Sequence, residues 1–324
     1  MPMKAIVYHN NGSRDALKCE EIEKPTPGVG EVLIKVRAAS VNPLDAHLLK
    51  HRLMRRVMLA LSKQKKIRPG RDVAGEVEAV GATVTQFKPG DAVFGGCGGA
   101  FAEYACARES ALGLKPDGVT FEQAAAVPVA GLTALQGLRD KGKIRAGQKV
   151  LINGASGGVG TFAVQIAKSF GADVTGVCST RNVGLVRSLG ADQVIDYTRE
   201  DFIRGGKRYD LIFDLVAKHS PSAHRRVLNP EGIYIGAGLL GLREARSGLV
   251  ARRIAENLLS HFVSPRLVTF TARLNGDDLA VIGELVEAGK VRPVIDRRYS
   301  LSEVSEAVRY LEEGHTRGKV AITL

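Results

Sequence analysis

KVLINGASGGVGTFAVQIAKSFG, residues 149–171, decides how this 324-residue chain is read. KVLING (149–154) is an apolar run of the length expected for a buried strand. VGTFAVQIAKSFG (159–171) carries apolar residues at helical spacing and closes on a glycine. Between them stands Ala155-Ser156-Gly157-Gly158-Val159-Gly160, the A-x-G-x-x-G form of a dinucleotide fingerprint in its strand–turn–helix setting. Gly157 would let the backbone approach a pyrophosphate, and Gly160 would let the helix pack close to the sheet. The helix N-terminus supplies free N–H groups and the positive end of its dipole. The bland alternative is a tight strand-to-helix turn that binds nothing.

Downstream the chain keeps alternating. ADVTGVC (172–178), QVIDY (193–197), YDLIFDLV (209–216) and GIYIGAG (232–238) read as strands, with helices at 182–190 and 220–228. Apolar strands alternating with helices predict a parallel sheet covered on both faces. The tip of the second strand reads Cys178-Ser179-Thr180-Arg181-Asn182. An NAD enzyme usually places an acid there for the ribose 2′-hydroxyl. Ser179 and Thr180 can instead donate hydrogen bonds, and Arg181 can pair with a 2′-phosphate. This favours NADP, unless Arg181 is an ordinary solvated charge.

Upstream the texture differs. KAIVY (4–8), EVLIKVRA (31–38), VAGEVEAVG (73–81) and DAVFGG (91–96) are short strands punctuated by glycine and proline. EQAAAVPVAGLTALQGL (122–138) is helix-like on both sides of a break at Pro128. After the alternating region, 277–290 and 301–314 read as helices and 319–324 as a last strand. That strand is expected to return to the first domain.

Composition narrows the class. Hydrophobic residues make up 44% and charged residues 25%, a globular balance. No apolar stretch is long enough to span a bilayer, and residues 1–20 lack the apolar core of a signal peptide, so a cytoplasmic location is expected. Four cysteines without a C-x-x-C pair are expected to be reduced. Nine Lys or Arg and no acid fall within residues 50–71, so most of the net charge of +12 is local. A global nucleic-acid-binding surface is not implied.

KAIVYHNNG, GEVLIKVRAASVNPLD, PGRDVAGEVEAVG, FKPGDAVFG, FAEYA, AAAVPVAGLTALQGL, INGASGGVG and SLGADQVIDY, in this order over nearly the whole length, resemble the quinone oxidoreductase branch of the medium-chain dehydrogenase/reductases. The resemblance implies an α/β protein: a GroES-like β-rich catalytic domain, residues 1–124 completed by 266–324, plus a Rossmann-like doubly wound parallel-sheet domain, residues 125–265. It places the active site in the cleft between them. It also implies roles. Thr133 would lie near the nicotinamide, Asn42 at the cleft, Tyr197 beside the adenosine phosphate, and Lys319 in reach of the cofactor. The plain readings of these four are a helix-start threonine, a turn-forming asparagine, a sheet-edge tyrosine and an exposed lysine. The branch often forms homodimers.

Against the zinc alcohol dehydrogenases, this chain has Asn42 for a cysteine, Arg71-Asp72 for His-Glu, and Val129 near the third ligand. Asn, Arg and Val do not ligate zinc, and no metal site is expected. A quinone or an α,β-unsaturated carbonyl is then the natural substrate class. Hydride from NADPH adds to an electron-poor carbon, and charge delocalises to an oxygen that a hydrogen bond can satisfy. Asn42 and Thr133 are candidates to orient cofactor and substrate. His47 is a candidate proton donor, or an ordinary helix-surface histidine.

Two departures stand out. Relatives often continue the fourth strand as Asp-x-Val-Gly, and this chain has Asp214-Leu215-Val216-Ala217-Lys218. Residues 50–71 carry apolar Leu53, Met54, Val57, Met58 and Leu61 at helical spacing opposite a basic face. That segment is a solvated lid over the substrate site, an attractor of anionic substrates, or a weak peripheral contact with anionic lipid. Rival functions are an enoyl-thioester reductase and a crystallin-like protein that binds the cofactor without turnover.

Overall fold

A computed structural model describes residues 1–9, 17–50, 68–237 and 266–324, with the side chains of 47–50 and 221 excepted. The described chain forms two compact units. Unit 1 is Met1–Val129, Leu274–Ala288 and Pro293–Leu324, and unit 2 is Ala130–Arg273 with Gly289–Arg292.

Unit 1 opens with the antiparallel pair β1 (Pro2–Tyr8) and β2 (Leu17–Glu23). The long strand β3 (Glu31–Val41) leads into helix α1 (Pro43–Lys50). Strands β4 (Asp72–Val80), β5 (Ala92–Gly96), β6 (Tyr104–Arg108) and β7 (Leu112–Leu114) follow. Helix α2 (Phe121–Ala125) starts with a capping box of Thr120 and Gln123. Pro128 then opens α3 (Pro128–Leu135), at a position where its missing N–H costs nothing. The break expected at Pro128 is therefore a join between two helices.

α3 carries the chain into unit 2 and ends in a π-helical turn at Gln136–Lys141. The alternating elements come next: β8 (Lys149–Asn153), α4 (Gly158–Ser169), β9 (Asp173–Cys178), α5 (Val183–Ser188), β10 (Gln193–Asp196), β11 (Tyr209–Asp214), α6 (Pro221–Val227), β12 (Leu228–Ala237) and β13 (Arg266–Phe270). All six strands are parallel, in the order β10-β9-β8-β11-β12-β13. Strand order reverses between β8 and β11, the switch point beside which doubly wound sheets bind their ligands. Val150, Leu151 and Ile152 of β8 are fully buried, as strands covered on both faces require.

The chain returns to unit 1 through α7 (Gly276–Glu287), β14 (Ile295–Ser300), α8 (Val304–Glu312) and β15 (Lys319–Thr323). β15 pairs antiparallel with β3, as expected for the last strand. The sheet of unit 1 runs β14-β15-β3-β4-β5-β7, with β6 also on β3. The division between units differs from the sequence reading at both ends. The first boundary lies at 129/130 and not 124/125, because α2 and the start of α3 pack with the first unit. The second lies at 273/274 and not 265/266, because β13 extends the parallel sheet beside β12.

Candidate active site

Unit 2 builds the cofactor loop from the end of β8. Gly154 turns the chain at φ 90°, in the left-handed region that favours glycine. Gly157 is extended and caps α4. A Cβ at Gly160 would run into the Gly154 carbonyl oxygen and lie 2.8 Å from Ala155 Cα, so helix and strand approach as closely as only glycine permits. A Cβ at Gly157 would meet only Gly154 O, at 3.5 Å, which leaves that side of the loop open. The two glycines thus divide the roles the fingerprint assigns them. Ser156 precedes the cap, and Gly158 and Val159 open the twelve-residue helix α4, whose first-turn amides have no helical partner by construction. These residues fit a dinucleotide pyrophosphate.

The tip of β9 is tied to that loop. Asn182, 4% exposed, donates to Ser156 Oγ at 3.0 Å and to Ser179 Oγ at 3.2 Å. The sequence marked Asn182 only as part of the tip. A second finding limits the argument from charge. β10 lies parallel to β9 and sets Asp196 opposite Cys178. Thr180 Oγ1 donates to Asp196 Oδ2 at 2.6 Å, and Arg199 Nε stands 3.5 Å from that oxygen. The Thr180 hydroxyl, above all, holds the Asp196 carboxyl below its ordinary range. An acid therefore does reach Thr180 from the neighbouring strand, although the β9 tip itself carries none. Arg181 and Tyr197 are exposed beside it, Tyr197 at 57%. Burial and the Asp196 charge push the Cys178 thiol up to about 11, so it is no nucleophile at neutral pH.

Unit 1 holds a buried polar centre. Lys319, 4% exposed, donates from Nζ to Asn42 Oδ1 at 2.7 Å, Asp72 Oδ2 at 3.0 Å and Val41 O at 3.3 Å. All three of its hydrogens are thereby engaged inside the unit. Asn42 donates from Nδ2 to Asp72 Oδ2 at 2.9 Å. Ser40 Oγ donates to the same carboxylate at 2.6 Å, and the Val129 amide donates to Asp72 Oδ1 at 2.9 Å. Val129 lies in the first turn of α3, where amides lack helical partners and a carboxylate is favoured. Asp72 thus anchors the start of the helix that carries Thr133. Asp45 accepts from the Asn42 and Gly70 amides at 2.9 and 3.1 Å, and burial pushes its carboxyl up to about 6. The sequence read Asp72 only as an unsuitable zinc ligand. Its partner is 247 positions away, so no local signal revealed the pair.

The structure brings Asn42 and Lys319 together in unit 1. Ser156–Gly160, Ser179, Thr180, Arg181, Tyr197 and Thr133 lie in unit 2, with Thr133 8% exposed on α3. The side chain of His47, and residues 51–67 of the basic segment, lie outside the described residues.

Comparison with known proteins decides the family. A family model described as an alcohol dehydrogenase GroES-like domain matches residues 28–135, and one described as a zinc-binding dehydrogenase matches residues 189–322. The chain is 36% identical to a chloroplastic quinone oxidoreductase of Triphysaria versicolor, over 99% of this chain and 98% of that protein. The chain belongs to the quinone oxidoreductase branch of the medium-chain dehydrogenase/reductases. It is also 35% identical to a chloroplastic NADPH-dependent alkenal/one oxidoreductase of Arabidopsis thaliana, over 99% of this chain and 79% of that one. The solved quinone oxidoreductase of Coxiella burnetii superposes with a TM-score of 0.84 at 31% identity, covering both chains fully.

Among the described residues, those around Asp72 do not suit a zinc ion. Both Asp72 oxygens are taken by hydrogen-bond donors, and the charge that balances them is the Lys319 ammonium. Among the described residues no group of three or more His, Cys, Asp or Glu side chains could hold a metal. Cys97, whose amide donates to the Arg71 carbonyl beside Asp72, is pushed up to about 12 by burial and is a poor thiolate donor.

Proposed function

We propose that the protein is an NADPH-dependent oxidoreductase that reduces quinones or α,β-unsaturated carbonyl compounds without zinc. The observation that carries this reading is the glycine loop seated at the switch point of a six-stranded parallel sheet. The relatives named for quinone and alkenal/one reduction support the substrate class. Bound NADPH supplies the hydride. The chain's own residues bind and orient.

Ser156, Gly157, Gly158, Val159 and Gly160 receive the pyrophosphate. Ser179, Thr180 and Arg181 receive the 2′-phosphate, and Tyr197 covers the adenosine end. Thr133 and Asn42 orient the reacting groups, and His47 donates the proton. Lys319 serves this site through Asn42, whose amide it fixes together with Asp72. An amide held at both ends keeps one orientation, which is what positioning catalysis requires. The substrate is a small molecule, the protein is a cytoplasmic homodimer, and residues 50–71 make at most a weak contact with anionic lipid. No helix among the described residues is long and apolar enough to cross a membrane.

Steady-state oxidation of NADPH tests the reading, with a quinone, a simple enone, an enoyl thioester and a saturated aldehyde as acceptors and with chelator present throughout. Turnover of the quinone or the enone that survives chelation is the expected result. Turnover confined to the thioester assigns an enoyl-thioester reductase instead, and turnover of the aldehyde that appears only when zinc replaces the chelator contradicts it. Tight NADPH binding without any turnover assigns a binding role instead.

A further inference from the structure

The departure at Asp214-Leu215-Val216-Ala217-Lys218 has a structural counterpart. Ala217 adopts φ 54°, the left-handed region that a residue with a side chain disfavours. A glycine would reach that conformation freely, whereas an alanine needs surroundings that over-determine it.

Asp214 supplies them. Its Oδ1 accepts the Val216 and Ala217 amides at 2.9 and 3.0 Å and Asn153 Nδ2 at 2.9 Å. Its Oδ2 accepts Tyr234 Oη at 3.0 Å, and His224 Nε2 stands 3.3 Å away, off the hydrogen-bond line. Asp214 and His224 are both 0% exposed. The His224 ring is held 4.5 Å from Tyr234 and 6.1 Å from Phe202, centre to centre. Burial pushes the Asp214 carboxyl up, but the His224 ring and the two turn amides outweigh it and hold the group down at about 2. It is therefore ionised at neutral pH, the form that accepts the two turn amides, Asn153 and Tyr234.

The turn it holds leans on the cofactor loop. A Cβ at Gly154 would lie 3.0 Å from Val216 Cγ2 and 3.4 Å from Leu215 Cβ. Asn153, bonded to the same carboxylate, immediately precedes Gly154. β8 and β11 are the strands between which the order reverses, and a dinucleotide extends across that crevice. Its adenosine end belongs to the β9 side, so the β11 side faces the nicotinamide half.

We propose that Asp214, backed by Asn153, Tyr234 and His224, is a positioning residue for the nicotinamide half of NADPH. It fixes the 215–217 turn against the Gly154 turn and so sets the width of the crevice that half must enter. The proposal rests on the reading of unit 2 as the NADPH site.

Calorimetry on the full chain tests it with two ligands, NADPH and 2′,5′-ADP, which carries the adenosine phosphate but no nicotinamide. Tyr234→Phe keeps the ring and removes one bond to Asp214, and Asp214→Asn removes the charge. Each variant is expected to weaken NADPH by about tenfold, the worth of one hydrogen bond to a charged group, and to leave 2′,5′-ADP nearly unchanged. Adding Ala217→Gly to Asp214→Asn is expected to restore NADPH affinity, because glycine no longer needs the clamp. Equal weakening of both ligands, or of neither, overturns the positioning role. If Asp214→Asn does not fold, Tyr234→Phe decides alone. An unsubstituted protein that binds neither ligand overturns the cofactor reading itself, and the positioning role with it.

Discussion

Two aspartates in this molecule are equally buried and differently satisfied. Asp72 opens β4 in unit 1, Asp214 closes β11 in unit 2, and both are 0% exposed. Asp72 has a counter-ion, the Lys319 ammonium at 3.0 Å. Among the described residues Asp214 has no ammonium beside it; two turn amides, a carboxamide and a phenol donate to it, and an imidazole stands 3.3 Å away. The first solution is long-range: it exists only when the final strand β15 has paired with β3. The second is local in part: the turn that follows the aspartate supplies two amides, and β8, α6 and β12 bring up Asn153, His224 and Tyr234. A buried carboxylate can thus report on the topology of one unit and on the backbone of a single turn in the other.

Removing the counter-ion is the largest way to break the contrast. Lys319→Met leaves Asp72 buried without a balancing charge and is expected to cost about 3–5 kcal/mol by chemical denaturation. A loss under 1 kcal/mol would mean that Ser40, Asn42 and the Val129 amide suffice, as they do in kind for Asp214.

Titration sharpens it next. Asp45, beside the Asp72 centre, is raised from 3.8 to about 6, so its contribution favours folding below pH 4 and is lost as pH rises through about 6. The size is on the order of 2–3 kcal/mol. Asp214 has the opposite sign. It is lowered from 3.8 to about 2, so its contribution is present above pH 4 and is lost as pH falls toward 2. That change is about 2 kcal/mol. Denaturation across this range should therefore show the Asp45→Asn difference between pH 4 and 6 and the Asp214→Asn difference below pH 4. Identical profiles for the two variants would remove the distinction.

The smallest effect concerns the cofactor. Asp196 stands beside the residues expected to receive the 2′-phosphate. Asp196→Asn should raise the preference for NADPH over NADH by about fivefold, the scale of one charge contact in water. An unchanged ratio of kcat/KM values would show that the phosphate lies elsewhere.

Unit 2 was legible because its code is local. Apolar strands, a glycine loop and an amphipathic helix follow one another within residues 149–171, and the structure keeps them at 149–153 and 158–169. The sequence places β13 outside the parallel sheet for a physical reason. RLVTF has only one buried residue, so it lacks the all-apolar signature of the inner strands. The Asp72–Lys319 pair was invisible because nothing near either residue encodes the other. Asp196 is within reach of the sequence, since QVIDY reads as the strand after β9 and adjacent parallel strands bring their tips together.

The most direct test of the account uses NADPH deuterated at the transferable nicotinamide position, with an enone as acceptor and chelator present. Deuterium at the β-carbon of a saturated ketone, read by NMR, is the predicted result. Deuterium on a carbinol carbon, formed only when zinc is restored, would contradict it.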